Sequence, residues 1–310
     1  MNCLCNSLFN SELNFSVKIE AACPERTVFF IFTRHIFKPM KKIISIVLFV
    51  YSYSFVNGAS VDTINIYSKS MQKDLKCVVI KPAKYKKKKL RFPTLYLLHG
   101  YDGWYANWIL RVPELKKYAD EFEMLIICPD GDKAGWYFDS PFDPKNQYET
   151  YISKEVPAFI DSVYRTIASK DKRAITGLSM GGHGALFLSF RHPHIFSAAG
   201  SMSGVVDLSE VKNKYQLQKL IGDTLHYPEN WKNYSVLKVV EKKTSPSAII
   251  IDDGVSDNFI EGNRRLHQKL LQLKIPHEYI ERPGNHSWEY WRYAVHFQLL
   301  FFSKYFNKNE

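Results

Sequence analysis

Isoleucines at 64 and 66 alternate with the polar Asn65 and with Tyr67, the period of two expected of a half-buried strand. Residues 75–80 read as a second short strand, and a lysine-rich stretch after it reads as a loop. From Pro93 onward the rhythm changes. Short buried-type runs at 94–98, 124–128, 173–176, 197–201 and 247–251 alternate with stretches whose apolar residues recur at helical spacing. Those helical stretches are 115–122, the set Ile152, Val156, Phe159, Val163 and Ile167, residues 185–190, and the face Leu266, Leu270 and Leu273. Pro157 inside the second of them predicts a kink or a late helix start. A last strand at 277–280 leads into a final helix with Trp288, Trp291, Val295, Leu299 and Phe302 on one face. Strands alternating with helices predict an α/β fold, a mostly parallel central sheet with helices on both faces. The less regular stretch 205–244 reads as an insertion over the edge or top of that sheet. With no repeat and no Pro/Ser linker, residues 61–310 are expected to form a single domain.

The front of the chain follows a different pattern. Lys41 and Lys42 precede an apolar run at 43–50, and Gly58, Ala59 and Ser60 follow it. A basic start, a short apolar core and a small-residue exit describe a secretory signal peptide, here residues 40–60, with cleavage expected between Gly58 and Val61. The run 43–56 is shorter than the ~20 apolar residues a membrane span needs, and Ser45, Ser52 and Ser54 interrupt it. The expected product is exported, periplasmic or extracellular, with no stable membrane insertion. Met40 stands directly before the lysines, so residues 1–39 read as an over-extended N-terminus; an unusually long basic region is the alternative.

Charge and cysteine content change the picture little. The whole chain has 310 residues and a net charge of +11. Six of its 42 basic and three of its 31 acidic residues precede Val61, so the remainder carries 36 against 28, a net of +8. Much of that excess is Lys84, Lys86, Lys87, Lys88, Lys89 and Arg91. Such a run can attract an anionic polymer, but its simplest reading is a solvated loop, and nucleic acid is not an expected partner of an exported protein. Of five cysteines, Cys77 and Cys128 remain after the leader, each inside an apolar run. Export permits a disulfide between them, but the sequence does not reveal whether they pair. No metal-ligand spacing is present, and no cofactor is implied.

The chemistry begins at Gly177-Leu178-Ser179-Met180-Gly181-Gly182. A tight glycine-rich turn between a strand and a helix holds its serine exposed, as a nucleophile elbow does, and the helix N-terminus lends positive potential to a developing anion. A serine nucleophile needs a base, and the base needs an orienting acid. With the α/β-hydrolase chain order of Ser, acid, His, His286 is the fitting histidine, on a loop after a strand. His99 and His183 come too early, His277 reads as strand and His296 as helix. For the acid, Asp257 stands on the turn beyond the strand at 248–251, with Asp253 as the substitute. Asp257 also stands where it could cap the helix beginning near Phe259. An oxyanion needs backbone donors: the Met180 amide, and the Tyr101 amide in the loop Leu97-Leu98-His99-Gly100-Tyr101-Asp102-Gly103.

The elbow, the Leu-Leu-His-Gly loop, the turn Asp253-Gly254-Val255-Ser256-Asp257 and the loop Asn285-His286-Ser287-Trp288 together resemble the putative-esterase family. That family includes S-formylglutathione hydrolase, tributyrin, feruloyl and acetyl-xylan esterases, and cell-envelope mycolyltransferases. The resemblance runs from about Val61 to the C-terminus. It takes in Pro129-Asp130-Gly131 and the stretch Trp136-Tyr137-Phe138-Asp139-Ser140-Pro141, which are similar to the family's loop beside the active site. It implies Ser179, Asp257 and His286 as triad, Tyr101 and Met180 as oxyanion hole, and a small-molecule or carbohydrate ester as substrate. An export signal argues against formylglutathione. Trp104, Trp108 and Trp136 are candidate substrate contacts, since aromatics beside a cleft can stack on a sugar or an aromatic acyl group; they serve equally well as core. The expected activity is a serine carboxylesterase acting on short-chain, acetyl or feruloyl esters. Transfer of the acyl group to an envelope sugar or lipid is the alternative, and a non-catalytic binding protein on the same fold is a second.

Overall fold

Runs apolar on both faces belong to strands covered on both sides, and the four central ones behave so. β1 (Ser60–Ser68) and β2 (Lys73–Lys81) are followed by β3 (Thr94–Leu98), β4 (Leu125–Pro129), β5 (Arg173–Gly177), β6 (Ala198–Met202), β7 (Ala248–Gly254) and β8 (Glu278–Arg282). Every residue of β3, β4, β5 and β6 is buried. The strands form one sheet in the order β1-β2-β4-β3-β5-β6-β7-β8. β1 and β2 pair antiparallel with each other, and β2 antiparallel with β4; all other pairs are parallel. This is a computed structural model, and it describes residues 58–212, 214–242 and 245–308. The expected N-terminal extension at 1–39 and nearly all of the leader at 40–60 lie outside them.

The two-residue period of each strand sorts its side chains to two cores. Leu95, Leu97, Ile126 and Ile250 face one core; Tyr96, Leu98, Ile127 and Ile251 face the other. The first core is covered by α1 (Asn107–Arg111), α2 (Leu115–Glu121) and, at the end of the chain, the 20-residue helix Trp288–Asn307. The second receives α3 (Tyr148–Thr150), α4 (Val156–Val163) and α5 (Met180–Arg191). Cys77 and Cys128 sit on neighbouring strands, one position apart in register, yet point into opposite cores. Both are unpaired thiols, and burial raises both pKa values.

Among the described residues, 205–244 carries a single 3-10 turn at Leu208–Val211 and three short α-helices, α6 (Leu217–Ile221), α7 (Pro228–Asn233) and α8 (Val236–Val239). They are followed by α9 (Ile260–Gln272) and α10, the closing Trp288–Asn307 helix. The insertion is anchored rather than draped: Val206, Leu217, Ile221, Val236 and Val240 are fully buried in the second core. Pro157 stands in the first turn of α4, so the α-helix proper starts late, as expected, but the helical path itself does not. The helical path begins at Tyr148, widens through a π-helical segment at Tyr151–Glu155 and resumes as α4. Widening the turn relieves the clash of the proline ring with the carbonyl four residues back. The helix then stops at Val163, so Val163 is exposed and Ile167 lies beyond it, where the periodicity had placed both on the apolar face. Leu273 is likewise an exposed residue just past α9.

Candidate active site

Because β3, β5, β6, β7 and β8 are parallel neighbours, their C-terminal ends lie along one edge of the sheet, where open α/β sheets bind ligands. The loops after β3, β5, β7 and β8 carry Tyr101, Ser179, Asp257 and His286 respectively. Ser179 has φ 53° and ψ −117°, a backbone conformation L-residues rarely adopt and one held at functional sites by surrounding structure. Its turn is closed so tightly that a Cβ on Gly177 would sit 2.6 Å from the Gly181 carbonyl, and one on Gly181 2.6 Å from the Leu98 oxygen.

His286 bridges the nucleophile and the acid. Its Nε2 lies 2.9 Å from Ser179 Oγ, and its Nδ1 lies 2.9 and 3.1 Å from the two carboxylate oxygens of Asp257. The imidazole stands edge-to-face with both Phe259 and Trp291, centroids 5.0 and 4.8 Å away. Trp291 is held in turn by its indole N–H, which donates to Ser203 Oγ at 3.0 Å. Two backbone bonds tie the acid's turn to the histidine's loop: Val255 N to Arg282 O at 2.8 Å and Ser256 N to Gly284 O at 2.9 Å. The buried Asp252 accepts from Tyr290 and pairs with Arg282 beneath them.

Asp257 does not cap α9, whose N-cap is Phe259. While it faces His286, its Oδ1 accepts from the Phe259 amide at 2.9 Å, two residues on, in the turn that leads into the helix. Asp253 does not reach the histidine. One of its oxygens accepts from the Gly254 amide, and the other is buried with no hydrogen bond. Burial, and then the charge of Asp257, push its carboxyl well above the usual carboxylate range.

Tyr101 and Met180 line the same cleft as Ser179, and among the described residues neither amide donates to a protein carbonyl. Met180 is the first residue of α5, where amides have no partner within the helix. The cleft encloses about 670 Å³ and is lined largely by aromatic rings. Trp104 lines it and is 45% exposed; Trp136 lines it but is buried, its indole N–H bonded to Tyr215 O at 3.0 Å. Trp108 departs from the expectation. It is buried behind the cleft, donating to Leu98 O at 2.9 Å and standing edge-on to Trp288 at 5.2 Å. Its place on α1 turns it into the first core, because the apolar face of that helix must be covered.

Trp288, Trp291, Phe259 and Tyr215 line the cleft without having been anticipated. Trp291 was legible only as part of a helix face and Trp288 only as that and as the end of the histidine's loop, although their closeness to His286 in sequence was a usable signal. Tyr215 comes from the insertion, and nothing in the sequence marks it. Among the described residues no group of three His, Cys, Asp or Glu could hold a metal ion, and no helix is long and apolar enough to cross a membrane.

Comparison with known proteins bears on the family and the fold. An acetyl esterase from Caldicellulosiruptor saccharolyticus is 28% identical over 250 residues, 74% of this chain and 92% of the relative. A solved ferulic acid esterase superposes with a TM-score of 0.70 at 28% identity, covering 80% of this chain and 98% of that one. The S-formylglutathione hydrolase of Agrobacterium tumefaciens also superposes at 0.70, with 22% identity over 81% and 96% of the two chains, a likeness of fold. The profile of the family described as putative esterase matches residues 68–302. The chain therefore belongs to the putative esterase family, serine hydrolases of the α/β-hydrolase fold that act on carboxylic esters.

Proposed function

We propose that the protein hydrolyses short-chain acyl or carbohydrate-linked acetyl and feruloyl esters through an acyl-enzyme on Ser179. The observation that carries this is the unbroken line from Ser179 Oγ through His286 to Asp257, each contact within hydrogen-bond distance. His286 Nε2 takes the proton as Oγ attacks the ester carbonyl, and Asp257 stabilises the resulting imidazolium. The carbonyl oxygen becomes an anion in the space faced by the Tyr101 and Met180 amides, each such donor being worth roughly 10²–10³ in rate. Collapse expels the alcohol, which receives the proton from His286. Water then attacks the acyl-enzyme by the same route, with His286 again as base, and frees Ser179.

The aromatic cleft supports the substrate class. Flat rings from Trp104, Tyr101 and Trp288 favour an aromatic acyl group or a sugar ring over an extended hydrocarbon. The insertion that would have to form a lipase-like lid has most of its aliphatic residues, Val206, Leu217, Ile221, Val236 and Val240 among them, committed to the core, and among the described residues leaves only the scattered Leu225 and Tyr227 exposed. Burying a chain methylene would add about 0.8 kcal/mol, so an enzyme with a long acyl groove shows kcat/KM rising with chain length. Measured across acetyl, butyryl, octanoyl, palmitoyl and feruloyl esters, kcat/KM should peak at acetyl to butyryl or at feruloyl. A maximum at palmitoyl contradicts the reading.

Export is part of the same proposal. It rests on Lys41-Lys42, the apolar run at 43–50 and the small residues Gly58, Ala59 and Ser60. N-terminal sequencing of the native protein should find a start between Ala59 and Val61; a start at or before residue 39 contradicts it.

A further inference from the structure

His99 is 1% exposed, does not line the cleft, and has both ring nitrogens engaged with backbone. Its Nε2 lies 2.9 Å from the Gly131 amide and so accepts from it; its Nδ1 lies 2.9 Å from the Gly100 carbonyl and so donates to it. Only the neutral imidazole protonated on Nδ1 can make both bonds. Gly100 O also accepts from the Gly103 amide at 3.1 Å, so both its lone pairs are used.

The Gly100 carbonyl is one half of a peptide unit whose other half is the Tyr101 N–H. The unit is planar and trans, so its C=O and N–H point in opposite directions. Drawing the oxygen toward His99 therefore turns the Tyr101 N–H away from it, and Tyr101 lines the cleft. His99 is itself fastened. Its own carbonyl accepts from the Tyr137 hydroxyl at 2.9 Å, and its ring stands edge-on to the Tyr137 ring. Trp136 and Tyr137 hold φ values of 54° and 57°, a left-handed conformation that is costly for two consecutive bulky side chains. The surrounding structure maintains it, and its effect is to bring the Tyr137 hydroxyl onto the chain next to the oxyanion loop.

We propose that His99 is a positioning residue for ester hydrolysis: with Tyr137 and the Gly131 amide it fixes the Gly100–Tyr101 peptide plane so that the Tyr101 amide faces the developing oxyanion. The inference rests on the reading of Tyr101 as an oxyanion donor. A donor aimed at the transition state acts on it more than on the bound ester, so loosening that donor lowers kcat and leaves KM nearly unchanged.

The test compares His99→Leu, His99→Asn and Tyr137→Phe with the wild type. It reads kcat and KM for a butyryl ester and the inhibition constant of an acyl trifluoromethyl ketone, which forms a tetrahedral oxyanion on the serine. His99→Leu should lose about 10- to 100-fold in kcat, short of the 10²–10³ for a donor removed outright, with KM within about threefold. The ketone should weaken by the same factor as kcat/KM. His99→Asn keeps a side-chain N–H able to reach the Gly100 carbonyl and should recover most of the loss. Tyr137→Phe should show a smaller loss with the same pattern. Should His99→Leu fail to fold, the other two variants decide. Wild-type kcat and ketone affinity in Tyr137→Phe, equal losses in His99→Leu and His99→Asn, or a fall in kcat with ketone affinity unchanged would each overturn the role of His99. A ketone that binds the wild type no better than the corresponding methyl ketone removes the oxyanion reading itself, and the inference with it.

Discussion

Asp253 is the carboxylate most at odds with its surroundings. It is fully buried four residues from Asp257, with one oxygen unpartnered. Burial and the neighbouring charge raise its pKa above the unfolded value, so the folded protein holds a proton that the unfolded chain has released. Its contribution to stability is therefore fully present below the ordinary Asp value of ~3.9 and is lost as pH rises toward the raised native value. Asp253→Asn mimics the protonated form. It should raise Tm at pH 8 and change it little at pH 4; an equal shift at both would show that Asp253 does not titrate this way. Sequence alone left Asp253 open as a substitute for Asp257, since both stand close to the end of one strand. Only the turn closed by the Asp257 N to Gly254 O bond separates them, bringing Asp257 to His286 and leaving Asp253 facing inward. The tryptophans show the same limit: aromatic identity was legible, but whether Trp104 or Trp108 faces the cleft depends on the packing of α1.

Among the elements, α5 carries the most constraint. Its first eleven residues, from Met180 to Phe190, are buried, including His183. The His183 Nε2–H donates to Tyr234 O at 2.8 Å, Nδ1 has no partner, and the ring stacks on Phe187. Burial lowers its pKa to about 4, so the native ring stays neutral where the unfolded one takes up a proton. The unfolded state binds more protons between about pH 6.5 and 4. Stability should therefore fall across that window on acidification, reaching its full loss below the native value. His183→Gln can keep the bond to Tyr234 O, and its denaturation midpoint should depend less on pH between 6.5 and 4 than the wild type's. An unchanged slope would assign the acid sensitivity elsewhere. Existence and type of the long elements were legible because period and length agree, whereas their ends were not. Val163 and Ile167 matched the helical period, but the helix leaves its path at Tyr164, which is extended. The insertion's polar surface hid its buried face, because short helices of four to six residues show too few turns for a period to emerge.

At the scale of the molecule, four loops converge because six parallel strands end on one edge, and that arrangement was legible from the alternation of strand and helix. The antiparallel β1 and β2 were legible as strands, but the pairing of β2 with β4 was not, since pairing across the sheet leaves no local mark. The lysine run lies between β2 and β3, its first lysines in a 3-10 turn at Ala83–Lys86 and the rest in an exposed loop, and none of it lines the cleft. The mechanism proposed for the cleft requires that Ser179, and no other serine, becomes acylated. A fluorophosphonate probe reacts with an activated serine in place of the ester, and peptide mass spectrometry then locates the adduct. A single stoichiometric adduct on Ser179 is expected, absent from Ser179→Ala and slowed by roughly 10⁴-fold or more in His286→Ala. An adduct on another residue, or equal labelling of the Ser179→Ala protein, would contradict the mechanism.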